Sequence, residues 1–239
     1  MMKENNQNKL IAGIDGSKGG WVCVSSDTNN TKKPKFDIFN KFEEVIERKF
    51  DLILVDMPIG LDKKLYKGGR VVDREARGML LKNKSSIFNS PSRMALNAKE
   101  YQEANIINKA HGMGLSKQSW FLFKKIKEVD NFLKIKDRPK IFESHPEIIF
   151  QVMKGEAVET KKSTPEGIKE RINLLVKNGF DKKFINKFIN QKNSFYKNDD
   201  FIDSCSLFWS AIRAAKGQEI NIPDKKIKDD EGIIMQMKI

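Results

Sequence analysis

The sequence predicts an α/β fold: a mixed five-stranded sheet flanked by helices, with a large helical insertion between strands four and five. Three observations predict it. The first sixty residues alternate apolar and polar positions in a β-β-β-α-β order, residues 62–138 carry helical spacing, and strand character returns at 138–147. Low-complexity tracts, internal repeats and an interdomain linker are all missing, so residues 1–239 are expected to form one domain with 61–138 inserted.

The elements follow in order. KLIAGID (9–15) is an apolar run closed by Asp15; SKGG turns the chain, and WVCVSS (21–26) returns as a hairpin partner. KFDIF (35–39) alternates as a third strand. NKFEEVIERKF (40–50) places Phe42, Val45, Ile46 and Phe50 at helical spacing behind a possible cap, Asn40. DLILVDMPIG (51–60) is continuously apolar until Pro58 and Gly60, as in a central strand covered on both faces. Helices are expected over 68–83, 96–112 and 116–135, with 85–93 as a loop. The strand at 138–147 ends at Pro146, which opens a helix over EIIFQVMKG. Further helices are expected at 163–179, with Pro in its first turn and a terminal Gly, at 181–190 and at 199–217. An acidic-basic turn leads to a last strand within EGIIMQMKI.

Charge is unevenly spread. The chain carries 45 Lys and Arg against 32 Asp and Glu, a net charge of +13. Residues 61–140 hold 19 basic and 8 acidic residues, so this third contributes +11 and the remainder only +2. A basic segment of this kind suits a polyanion such as nucleic acid, although a lysine-rich composition alone can also produce it. Arg70, Arg74 and Arg77 fall on one helical face and, with Arg93, make half of the arginines; phosphate contact and a solvated face with an Asp73–Arg77 pair both fit. Lys117, Lys124, Lys125 and Lys127 would add backbone attraction. The interleaved Trp120, Phe121 and Phe123 are expected in the core. No apolar run is long enough to span a bilayer, and the polar start MMKENNQNKL lacks a secretory core. With two cysteines and no CxxC, a reducing, cytoplasmic location is the expectation.

Acidic residues sit at element ends: Asp15, Asp56 and Glu143 close strands, and Asp199, Asp200 and Asp203 open the last long helix. On that helix Phe201, Cys205, Phe208 and Ile212 form one buried stripe, while Asp200 and Asp203 head a row continued by the apolar Leu207, Ala211 and Ala214. Structural roles remain open: Asp199 or Asp200 as a helix cap, Asp15 supporting the hairpin, Asp56 ending a strand. Together, carboxylates converging at strand ends repel one another, and oxygen-seeking Mg²⁺ or Mn²⁺ relieves that repulsion. His145, two residues beyond Glu143, is either a ligand, a proton shuttle or a structural histidine; His111 lies at a helix end. Two histidines give little support to Ser/His/Asp or Cys/His catalysis.

At this point a resemblance enters. GIDG…GWV, VDMPIGL, RxxDxxAR (Arg70–Arg77), SIFNSPSR, SKQ, KIKEVD, ESHPE and DDFIDS, in this order, resemble the family catalogued as domain of unknown function 429, predicted nucleases of ribonuclease H-like fold. The resemblance implies a metal-dependent nuclease acting on DNA or RNA. It implies that Asp15 bridges two Mg²⁺ or Mn²⁺ ions, that Asp56 and Glu143 are further ligands, and that Asp200 and Asp203 are the terminal acid pair. Ser204 departs from the Ala common there. Two such ions about 4 Å apart would activate water and stabilise the leaving oxygen. Arg70, Arg74, Arg77, Arg93 and Lys117 are the nucleic-acid contacts this reading selects. A catalytically silent nucleic-acid or nucleotide binder is the alternative. GIDGSKGG also resembles the first phosphate loop of actin-like ATP-dependent phosphotransferases, but no second glycine-rich phosphate loop follows.

Overall fold

In the computed structural model, which describes residues 8–135, 139–189, 191 and 194–239, one sheet runs through the whole molecule. Its first part follows the expected order: β1 (Leu10–Ser17), β2 (Gly20–Asp27), β3 (Lys35–Phe39), α1 (Phe42–Glu47) and β4 (Leu52–Val55). Between β4 and β5 (Lys140–Glu143) the chain forms α2 (Val71–Met79), α3 (Tyr101–Ala110), α4 (Lys117–Phe121) and α5 (Phe123–Leu133). Then come α6 (Pro146–Lys154), α7 (Pro165–Lys177), α8 (Lys182–Phe188), α9 (Asn198–Ala215), β6 (Asn221–Lys228) and β7 (Ile234–Lys238).

The sheet has seven strands, not five, in the order β3-β2-β1-β4-β5-β7-β6. The fifth expected strand is present, and β6 and β7 extend the sheet beyond it. β6 escapes the sequence pattern because NIPDKKIK shows charge where alternation would be needed; the antiparallel pairing with β7, broken by a register shift, supplies its order. β1 pairs antiparallel with β2 and parallel with β4, and β4 pairs parallel with β5. Several elements are shorter than expected. β4 stops at Val55, because the chain turns through Pro58 and Gly60, which has φ +74°. The helix expected over 116–135 breaks at Leu122, and the one over 96–112 starts only at Tyr101, after a 3₁₀ turn at Arg93–Asn97. The start of the 138–147 strand, the end of the 181–190 helix and the polar opening of the chain fall partly on residues outside those described.

Strand alternation sorts the core into two layers. Ala12, Ile14, Trp21, Cys23, Ile53, Val55 and Ile141 pack under α1, α3 and α5. Ile11, Val22, Val24, Leu52 and Leu54 face Phe201, Cys205 and Phe208 of α9, with α7 and α8 beyond. Of the stripe expected on α9, Phe201, Cys205 and Phe208 are buried and Ile212 is partly so; Ser204, Ser206 and Ser210 are buried with them. Among the described residues no helix is long and apolar enough to cross a membrane.

One contact sets the spacing of the second layer. A Cβ on Gly13 would lie 1.9 Å from the backbone nitrogen of Phe208 and 2.4 Å from the carbonyl carbon of Leu207. No side chain fits there, so α9 rests on β1 backbone to backbone. Gly13→Ala should force the two apart and destabilise the fold by about 3 kcal/mol or more, lowering Tm by about 6 °C or more. A thermal melt of Gly13→Ala matching wild type would contradict this packing.

Candidate functional site

The close approach at Gly13 also positions the acids. Asp15 lies two residues beyond Gly13 on the same face of β1, about 6.6 Å along the strand. Asp203 lies four residues before Leu207 on α9, about 6 Å along the helix in the opposite chain direction. The two displacements match, and Asp203 is near enough to Asp15 for its charge to raise the Asp15 pKa. Register brings the third acid alongside. Ile14 and Val55 are the last pair of the parallel ladder, the Asp56 N–H still donates to the Ile14 carbonyl at 3.1 Å, and the Asp56 charge raises the Asp15 pKa.

The same register separates Glu143. It is the ladder partner of Val55 and shares that residue's face, opposite to Asp56. Glu143 borders the cavity, but its carboxylate accepts from the Ile59 N–H (2.8 Å) and from both terminal nitrogens of Arg70 (2.8 and 3.1 Å). Both Glu143 oxygens are thus engaged by Arg70 and Ile59, which sets this acid apart from Asp203, whose Oδ1 has no partner.

Asp15, Asp56, Asp200, Glu143, His145 and Lys162 line one cavity of about 500 Å³. The helical insertion closes part of it, through Asn83, Ser85–Phe88, Gln118 and Leu122. The basic insertion and the acidic cluster thus share one cavity. Asp200 is half-committed, since one oxygen accepts from the Lys197 N–H at 2.9 Å and caps α9.

The cluster is under-neutralised. Burial, followed by the charges of Asp56 and Asp203, pushes the Asp15 carboxyl well above the usual range. Burial likewise pushes Asp56 and Asp203 up to about 6, against the opposing pull of Lys162. Asp200, raised by burial against its bond from Lys197, also reaches about 6. One nearby cation is Lys162, from the segment between α6 and α7, whose Nζ stands 2.7 Å from Asp203 Oδ2. Asp203, ahead of the cost of burial, with Asp15 and Asp56 holds that ammonium firmly protonated. Asp203 Oδ1 is buried without a hydrogen-bond partner. Lys162 gave no sequence signal, because it lies in an irregular polar loop with no periodicity to read. Burial lowers the His145 pKa, so the ring is neutral at pH 7, and its Nδ1 is buried without a partner.

These donors suit a hard divalent cation in kind: carboxylate oxygens, mutually repelling, one of them orphaned. Among the described residues, however, no three His, Cys, Asp or Glu side chains stand close enough to hold one ion together.

The arginine face is reassigned. Arg70 precedes α2 instead of lying on it, is 1% exposed, and binds Asp73, Glu143 and the carbonyls of Ile59 and Gly60. Asp73 therefore pairs with Arg70, not Arg77. Arg77 donates to Gly68, Ile87 and Asn89, and Arg93 is buried against Asp130 and Asp229. Arg70 and Arg93 are not surface groups a phosphate can reach. Arg74, bound to the Gly69 carbonyl, and Lys117 remain exposed. Glu147, missed in the sequence, lines the cavity and pairs with buried Arg171.

Two acids beside one cavity should then respond oppositely to neutralisation. Folding raises the Asp56 pKa from 3.8 to about 6, so its penalty is absent below pH ~4 and complete above pH ~6. With metal chelated, Asp56→Asn should stabilise the protein by about 1–2 kcal/mol at pH 8 and by nothing at pH 4. Glu143→Gln should instead cost about 2–4 kcal/mol at neutral pH, because it strips a partner from buried Arg70. Denaturant titration at the two pH values measures both; a stabilising Glu143→Gln or a destabilising Asp56→Asn would contradict the assignment.

A family model described as "Protein of unknown function (DUF429)" matches residues 13–227. No curated protein and no solved structure matches the chain.

Proposed function

This chain belongs to the DUF429 family, and we propose that it is a divalent-metal-dependent nuclease hydrolysing phosphodiester bonds at the Asp15–Asp56–Asp203 cluster. The observation that carries the reading is a gathering of under-neutralised carboxylates: Asp15 of β1 and half-buried Asp56 after β4 line the cavity, and buried Asp203 of α9 is close enough for its charge to raise the Asp15 pKa. A fold that held them for stability alone would have paired each of them, as it pairs Glu143, Asp73 and Glu147; of the three, only Asp203 has an ion pair among the described residues, to Lys162. Further support for a ribonuclease H-like arrangement is the order β3-β2-β1-β4-β5, antiparallel and then parallel, with α9 crossing β1.

Asp15 and Asp56, which line the cavity, would offer oxygen to Mg²⁺ or Mn²⁺, with Asp203 behind them and Asp200 at the edge; water and phosphate oxygens would complete the coordination, because no three of these side chains stand together around one ion among the described residues. When bound, such a cation supplies charge for an in-line displacement, by activating water and neutralising the departing oxygen. The chain's own residues do the rest. Lys162 offsets carboxylate charge and is placed to meet a phosphate oxygen. His145, neutral and with an unpartnered Nδ1, can accept a proton at the cavity wall. The Asn83–Phe88 segment and Gln118 narrow the cavity and position what enters it.

A second reading, a silent nucleic-acid binder, is favoured by the position of Lys162: its ammonium already occupies the cluster as an internal cation. One experiment separates the two. Single-stranded, duplex and hybrid oligonucleotides are incubated with the protein and Mg²⁺ or Mn²⁺. Metal-dependent cleavage is expected, falling at least 100-fold in Asp15→Asn with binding retained. Binding without cleavage of any substrate would reject the nuclease and leave the binder.

A further inference from the structure

Two stripes run side by side along α4 and the start of α5. Gln118 and Leu122 line the cavity. Lys125 continues that stripe, packing on Gly16 and donating to the Gly20 carbonyl. One step round the helix, Lys117, Phe121 and Lys124 face solvent at positions i, i+4 and i+7.

Phe121 is the anomaly. Its side chain is 76% exposed, the highest value among the large apolar residues described, although its sequence neighbours predict a core position. Those neighbours are packed: the rings of Trp120 and Phe123 lie 4.9 Å apart, and Trp120 also meets Tyr101. The helix cannot rotate to hide Phe121. Ser116 caps it through the Ser119 N–H, buried Ser119 donates to the Asn89 carbonyl, and Phe123 is buried on the far side. Beside Phe121 lies a shallow depression lined by Leu96, Ala98, Trp120, Phe123, Lys124 and Lys127. An exposed ring, an apolar floor and flanking ammonium groups thus sit together on the segment whose neighbouring stripe, Gln118 and Leu122, lines the acidic cavity.

We propose that Phe121, with Lys117, Lys124 and Lys127, is a binding platform for single-stranded nucleic acid, one base stacking on the ring and the adjoining phosphates meeting the lysines. The charge selects this occupant. Lysines on both sides of the ring repel a second copy of the same face, whereas a phosphate backbone needs them. The ring selects single strand, because only an unpaired base can leave its neighbours to stack on a side chain. That the strand then leads into the cavity rests on the nuclease reading; the platform itself does not.

The test is fluorescence anisotropy of a labelled 12-mer oligothymidylate with the full chain, in chelator so that no cleavage intervenes. Phe121→Ala should weaken binding about 5- to 150-fold and Phe121→Trp should preserve it. Lys117→Gln with Lys124→Gln should flatten the dependence of log Kd on log salt by about 1.4. A duplex of the same length should bind more weakly and ignore Phe121→Ala. Equal binding by wild type and Phe121→Ala would overturn the proposal, as would an equal response of duplex and single strand. So would a Phe121→Ala variant that only loses self-association. If Phe121→Ala weakens binding while wild type cleaves nothing with metal, the platform stands and the nuclease falls. If wild type cleaves and Phe121→Ala binds normally, the reverse holds.

Discussion

The backbone contact between Gly13 and the Leu207–Phe208 peptide governs much of what this molecule can do. With no side chain between them, α9 descends onto β1 until main chains touch. One helical turn and two strand residues are nearly equal in length, so the approach carries Asp203 over Asp15. The β1–β4 register then adds Asp56. A bulkier residue at position 13 would leave each acid in its own element but dissolve the cluster. The constraint is steric, and its consequence is electrostatic.

Around that cluster the charged residues divide into two populations. Arg70 joins Asp73, Glu143 and the turn after β4, fixing the chain that leaves Asp56. Arg93 ties the helical insertion to α5 and to the turn after β6 through Asp130 and Asp229. Arg171 holds Glu147 at the start of α6. In each case the buried guanidinium faces carboxylate directly, although Arg93 Nε and Arg171 Nε have no hydrogen-bond partner of their own. Asp15, Asp56 and Asp203 are treated differently. They share Lys162, and one Asp203 oxygen has no partner. The fold keeps a local electrostatic penalty where the cavity opens and neutralises charge where walls must be rigid. The positive excess of residues 61–140 sorts the same way: Arg70 and Arg93 are consumed inside, and exposed lysines such as Lys117, Lys124 and Lys127 carry the charge that solvent meets.

The legible parts of the sequence were those with a periodic frame. Apolar runs that stop at an acid marked Asp15 and Asp56, and the buried row beneath Asp203 on α9 marked the third. Glu143 looked equivalent, yet it shares the face of Ile141 and Val55, a parity that only the β4–β5 register reveals. Helical phase put Arg70, Arg74 and Arg77 on one side but could not say whether that side faced water, and Arg70 precedes the helix altogether. β6 was missed because its charged residues hide the alternation, and Lys162 because loops have no period. Phe121 was misplaced because its aromatic neighbours Trp120 and Phe123 are packed, while helical phase puts it on the exposed face with Lys117 and Lys124.

Manganese binding to the protein without nucleic acid tests the central claim most directly, because it depends on the carboxylate cluster and on nothing downstream. In electron paramagnetic resonance titrations, wild type should bind Mn²⁺ saturably. Asp15→Asn, Asp56→Asn and Asp203→Asn should each weaken that binding at least tenfold while remaining folded. Saturable binding that none of the three substitutions changes, or no binding to folded wild type at neutral pH, would contradict the assignment of this cluster as a cation site.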